Sequence, residues 1–181
     1  SFSHLTFQEY FTAKNIVDRE MGEIGTLMDN HFCDPRWREV FILIAGMLPQ
    51  ADDYFYRLRE KVSSLANHEI QTILAHAEDT IRASVDYPKP VCKYIALCAL
   101  NNFPEEFDDL ARGLVRACGS TLDFDIDLDR NKNSEFDINI INDYFYGTKL
   151  LIDCFNIDCY VSTEVRQTIL NGLLTEPWPD Q

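Results

Sequence analysis

SFSHLTFQEYFTAKNIV, residues 1–17, decides how the rest of the chain is read. Thr6 and Glu9 have the S/T-x-x-E spacing of a capping box, in which the Thr6 hydroxyl accepts from the Glu9 N–H and the Glu9 carboxylate reaches back. Leu5 and Tyr10 flank the box at the two positions of a hydrophobic staple. A helix is therefore expected from about Thr6. Phe7, Tyr10, Phe11 and Lys14 fall at helical spacing, with the three aromatics on the expected buried side. Ahead of it, Phe2 and His4 alternate with Ser1 and Ser3 like the last residues of a short strand.

Working outward, Gly22 and Gly25 loosen the chain around a short helix over roughly 23–30. Asp34-Pro35 starts the next helix, with Asp34 as N-cap and Pro35 at N1, where its missing N–H costs nothing. That helix reads RWREVFILIAGML and is apolar nearly all round, so it is expected to be buried. Pro49 helps to end it. Residues 51–66 and 68–84 form an amphipathic pair joined at Asn67. VCKYIALCALNN and EEFDDLARGLVRAC continue the helical pattern, the acidic start of the latter suiting a helix N-terminus.

Residues 119–136, GSTLDFDIDLDRNKNSEF, break the pattern. Asp123, Asp125, Asp127 and Asp129 alternate with apolar residues, yet Asp is a poor strand former. The stretch reads as an irregular acidic connector. Helical spacing returns from Asp137, with Ile141, Tyr144, Phe145, Thr148, Leu151, Ile152 and Phe155 on one face. Ser162 is the expected N-cap of a last helix, TEVRQTILNGLL. The fold class is all-α, seven to nine helices packed as helical hairpins without a repeat of fixed period.

Composition narrows the function. Of 181 residues, 46% are hydrophobic, with 7 Gly and 7 Pro, which suits a packed helical chain rather than a disordered one. The net charge is −14. Residues 1–100 hold 10 Lys/Arg against 14 Asp/Glu, net −4, and residues 101–181 hold 6 against 16, net −10. Such a field repels phosphate backbones and anionic lipid, so neither a nucleic acid nor a membrane is an expected partner. No signal-peptide pattern and no apolar run of transmembrane length occurs. Six Cys without a CxxC pair are read as reduced, mostly buried residues of a cytoplasmic protein.

Three stretches resemble segments of the NACHT family, the NLR-like STAND signalling ATPases. Phe2, His4, Leu5, Thr6, Phe7, Gln8, Glu9, Tyr10 and Phe11 match the F-x-H-x-[ST]-F-Q-E-[FY]-[FL]-A-A signature that closes the family's winged-helix domain; Thr12 departs from it. RWREVFILIAGML resembles the helical domain that follows. DYFYGTKLLIDCFNIDCYVSTEVRQTIL resembles a C-terminal segment of NACHT proteins of cyanobacterial, hence bacterial, type.

The resemblance divides the chain into the end of a winged helix (1–18, its first helix a remnant), a helical domain (19–118), the acidic connector (119–136) and a C-terminal helical segment (137–181). It implies that His4 contacts an ADP phosphate in the longer parent protein, holding the closed state. A His side chain supplies a directed N–H donor or a cation for that purpose. ATP or ADP then belongs to the parent, the partner is the upstream ATPase in cis together with an unidentified trigger, and this chain binds no cofactor of its own.

Other chemistry is poorly supplied. None of the glycines builds a G-x-x-x-x-G-K-[ST] phosphate loop, and no G-x-S-x-G elbow occurs. A calcium loop started at Asp125 meets Arg130 where Gly is needed and Phe136 where Glu is needed. His68-Glu69 lacks the second His of H-E-x-x-H, because position 72 is Thr, and no metal site is expected. Arg166 and Gln167 open the last helix as polar residues and are read as solvent-exposed. The chain is thus expected to be a non-catalytic regulatory or sensor region in signal transduction or defence. The alternative is an autonomous helical protein–protein interaction module without nucleotide coupling. A metal-dependent hydrolase ranks third.

Overall fold

The computed structural model describes residues 4–19, 21–68, 70–71 and 138–175, and over these residues the secondary structure is helical with no strand. Six α-helices follow in order: α1 (His4–Arg19), α2 (Met21–His31), α3 (Arg38–Met47), α4 (Asp52–Leu65), α5 (Ile138–Phe155) and α6 (Thr163–Thr175). The all-α expectation is met. The acidic connector 119–136 and the expected helices between residues 72 and 118 lie outside the described residues.

Local chemistry sets several boundaries as read. The Asp34 side chain accepts from the Arg36 N–H at 3.0 Å, and Pro35 opens a single 3-10 turn, Pro35–Trp37, that runs into α3. The Arg36 guanidinium also forks onto the Asp34 carboxylate and holds it down to about 2. Asn67 is more than a joint: its side chain accepts from the Ile70 N–H at 2.9 Å, capping the chain as it turns helical again. Ser162 caps α6, its hydroxyl accepting from the Val165 N–H at 3.2 Å.

The core is built where α5 enters. α5 packs against both α3 and α4, α6 packs on α4, and α1 lies along α3. From α5, Tyr144, Phe145, Leu150, Leu151, Ile152, Cys154 and Phe155 are buried among Phe41, Ile44, Tyr54, Phe55, Leu58 and Val62. Gly147 lets α5 approach closely: a Cβ there would stand 2.7 Å from Phe32 Cε1 and 3.1 Å from Leu65 Cδ1. Two buried hydroxyls find partners, whereas Asn142 Oδ1 is buried without a hydrogen bond among the described residues. Tyr54 donates its hydroxyl to the Phe41 carbonyl at 2.8 Å, and Thr148 donates to the Tyr144 carbonyl at 2.7 Å. Burial raises the Tyr54 phenol well above its usual range.

Three expectations are corrected. α1 begins at His4, so His4 belongs to the helix rather than to a strand and Thr6 lies inside it instead of capping it. The α1 aromatics are not its buried side: Phe7 is 53% exposed, Tyr10 42% and Phe11 62%. Ala13 is fully buried instead, and Ile16 and Val17 pack against the same core. At about 100° per residue, Ala13 and Ile16 lie on the far side of the helix from Phe7 and Phe11, while Val17 and Tyr10 fall at the boundary, so α1 carries two apolar stripes and buries the smaller one. Arg166, read as solvent-exposed, is half-buried over the Phe155 ring.

Among the described residues Cys33, Cys154 and Cys159 are free thiols. No described helix is long and apolar enough to cross a membrane.

Candidate functional site

The first place to look is the exposed side of α1. Small Ala13 allows close approach to α3 and anchors the helix by one stripe. The other stripe presents Phe7, Tyr10 and Phe11, with the Tyr10 and Phe11 rings meeting edge to face at 5.5 Å. At roughly 200 Å² per aromatic side chain, the fractions exposed leave about 300 Å² of ring surface, comparable to the largest apolar patch on an ordinary soluble protein. One turn further on, the surface becomes polar: Lys14 pairs with Asp18 at 3.0 Å, which raises the Lys14 ammonium through that hydrogen bond. The aromatic patch is therefore confined to the first half of α1. His4 opens the helix at a register position three residues before Phe7 and seven before Phe11, placing it on the same helical face.

A groove of about 540 Å³ between α2 and α4 is the second candidate. Met28, Phe32 and Leu65 give it an apolar floor, and the Lys61 ammonium closes onto the Asp29 carboxylate at its mouth. Cys33 lines it, but burial pushes this thiol up to about 11. It stays protonated at neutral pH and is neither a ready nucleophile nor a ready metal ligand. Cys154 and Cys159 are likewise pushed up by burial, and the Cys159 thiol lies 3.6 Å from the Cys154 carbonyl. Among the described residues no three His, Cys, Asp or Glu side chains gather as a metal site would require.

The third feature is the link between α5 and α6, residues 156–162, which is stitched to the start of α4. The Ala51 N–H donates to the Tyr160 carbonyl at 2.8 Å, and the Ser162 N–H donates to Asp52 Oδ1 at 2.7 Å. That backbone N–H holds the Asp52 carboxyl below its ordinary value. Behind the link, Phe155 stacks flat on Phe55 at 4.2 Å. The Arg166 guanidinium sits 5.1 Å from the Phe155 ring centre and donates to the Phe155 carbonyl at 3.2 Å. Arg38 adds an ion pair to Asp153 at 2.9 Å. Sequence reasoning found Ser162 from its residue type before an apolar run. It missed Asp52, Phe155 and Arg166 as a unit, because no local spacing connects Asp52 to residues more than a hundred positions away.

Residues 115–176 match the family model described as NACHT C-terminal Helical domain 2. The match contains α5, the link and α6, where the LLIDCFNIDCYVSTEVRQTIL resemblance was read, and leaves α1 to α4 outside it. No curated protein and no solved structure matches the chain. Over residues 115–176, then, the chain is similar to a C-terminal helical region of NACHT proteins.

Proposed function

We propose that this chain is a non-catalytic regulatory or sensor region of a NACHT-type STAND ATPase of bacterial, cyanobacterial type, acting in cytoplasmic signal transduction or defence. In this reading, α1 is the relay between the helical body and an ATPase that precedes it in the parent protein. The observation that supports it is the two-sided character of α1: one small apolar stripe is anchored on α3, while Phe7, Tyr10 and Phe11 stand exposed on the other.

A winged-helix domain covering those rings would tie its own position to that of the helical body. His4, at the head of the same face, would then contact the ADP phosphate in the parent protein. The sequence has no phosphate-cradling loop, so the nucleotide itself would be held by the preceding ATPase. A trigger that binds the helical surface more tightly in the open state would shift the equilibrium toward ATP exchange and oligomerisation.

The test is nucleotide retention in the protein together with its ATPase. His4→Ala and Phe11→Ser are each expected to speed ADP release at least about tenfold, a loss of roughly 1.4 kcal/mol of closed-state stabilisation. Unchanged ADP release and unchanged oligomerisation in both variants would remove the coupling and leave the alternative, an autonomous helical interaction module.

A further inference from the structure

Two hollows meet along α2 and α4. The groove of about 540 Å³ beside Phe32 shares Met28, Asp29, Lys61 and Ser64 with a second hollow of about 310 Å³ that runs on toward Gly25 and Arg57. Contacts across the gap fix the register of the two helices. The Arg57 guanidinium reaches over Gly25, where a Cβ would stand 3.7 Å from its Nη1, Lys61 pairs with Asp29, and Phe32 and Leu65 come together at Gly147. The two hollows are therefore one trough, with about 12 Å of helix from Arg57 to Leu65, crossed by the Lys61–Asp29 ion pair. Its size and its place between helices are those of a small-molecule pocket.

Most polar groups along the trough are already committed. Asn30 donates to the Thr26 carbonyl at 2.9 Å, Ser64 to the Lys61 carbonyl at 2.7 Å and the Cys33 thiol to the Asp143 carbonyl at 3.9 Å, while Arg36 takes the Asp34 carboxylate. The cations of α4 are not. Arg57 forms no ion pair among the described residues, nor does Glu60, which lines the same end. Lys61 has Asp29, whose side chain is 67% exposed, and an ion pair that open contributes little and exchanges readily for another carboxylate. Arg57 and Lys61 stand at i and i+4, neighbours on one helix face where like charges repel, so an anion between them relieves the repulsion. Beyond Lys61, Met28, Phe32 and Leu65 supply an apolar floor.

We propose that this trough binds a small carboxylate with an apolar body, the size of a medium-chain fatty acid. The body lies on Met28, Phe32 and Leu65, and the carboxylate takes the place of Asp29 on Lys61, with Arg57 one turn away. The site does not rest on coupling through α1.

Saturation-transfer NMR and calorimetry of the full chain with octanoate, at neutral pH and near-physiological salt, test this. Octanamide, which lacks the charge, and butyrate, which lacks most of the apolar body, are the controls. Octanoate is expected to bind saturably in the millimolar range or tighter, and each control at least about five-fold more weakly. Lys61→Met keeps the apolar stem and removes the charge; it is expected to weaken octanoate binding about five-fold. Asp29→Asn frees Lys61 and is expected to strengthen binding about three-fold, a gain that a folding defect does not mimic. Lys14→Met, which removes the same charge on α1, is expected to stay within about two-fold. The proposal is overturned by no saturable binding, by octanamide or butyrate matching octanoate, by unaltered affinity in Lys61→Met, by an equal loss in Lys14→Met, or by no gain in Asp29→Asn.

Discussion

Helices α1 and α5 both pack against α3, but they do so in opposite ways. α5 spends its aromatics inward: Tyr144, Phe145 and Phe155 are buried, and Gly147 removes a side chain so that the helix seats against Phe32 and Leu65. α1 spends its aromatics outward and makes its own contact through Ala13, Ile16 and Val17. α5 is thus part of what makes the body stable, whereas α1 has more apolar surface to offer than the body uses. A helix built that way is suited to joining two bodies.

The sharpest way to break this contrast is to truncate one aromatic on each helix. Phe145→Ala is expected to lower unfolding free energy by about 3–5 kcal/mol through lost burial and the cavity left behind. Phe11→Ala is expected to stay within about 0.5 kcal/mol, as exposed substitutions do. Urea denaturation followed by circular dichroism measures both, and equal costs would mean that the α1 aromatics serve the isolated body after all.

A smaller effect is expected at Gly147. Replacing it by Ala gains about 1 kcal/mol of helix propensity, but the added carbon would meet Phe32 Cε1 at 2.7 Å, and Phe32 is itself buried. Overpacking of this kind costs about 1–3 kcal/mol, so the net change should be a loss of about 1 kcal/mol or more. A stabilised Gly147→Ala variant would show that α5 does not seat as closely as described.

The smallest effect is at the seam. The Asp52 carboxyl is held below its ordinary value mainly by the Ser162 N–H. A lowered carboxyl contributes stability that is fully present above the unfolded value of about 3.9 and is lost as pH falls through the lower folded value. Hydrogen exchange at the Ser162 amide should therefore accelerate relative to core amides as pH drops below about 4, and Asp52→Asn should flatten that dependence. Acid sensitivity unchanged in Asp52→Asn would assign it to other carboxylates.

The readable and unreadable parts of this chain separate along physical lines. The Asp34-Pro35 turn that leads into α3, the Ser162 cap and the buried face of α5 could be read because each is encoded within a few consecutive residues. The orientation of α1 could not. Its sequence contains two apolar stripes that meet near Tyr10 and Val17, and hydrophobicity favours the aromatic one, whereas the choice is made by α3, which accepts the smaller stripe.

Arg166 was misread for a related reason: its side chain is placed by Phe155, eleven residues away and on another helix. His4 extends α1 by two residues beyond the capping-box reading, which places it on a helical face with Phe7 and Phe11 rather than at the end of a strand. The family match at 115–176 agrees with the C-terminal resemblance and covers the half of the seam that comes from α5, the link and α6.

The bond between Asp52 and Ser162 joins positions 110 residues apart, and that separation has a meaning for how the chain is made. At about 5–20 residues per second of synthesis, α3 and α4 leave the ribosome roughly 5–20 s before the helix that covers their shared face is complete. Contacts this distant in sequence must also await closure of a long loop, which slows folding. The newly made N-terminal half therefore spends that interval as a species with its own solubility problem, and a nascent chain stalled between α4 and α5 should be far more prone to aggregate than one released after α6.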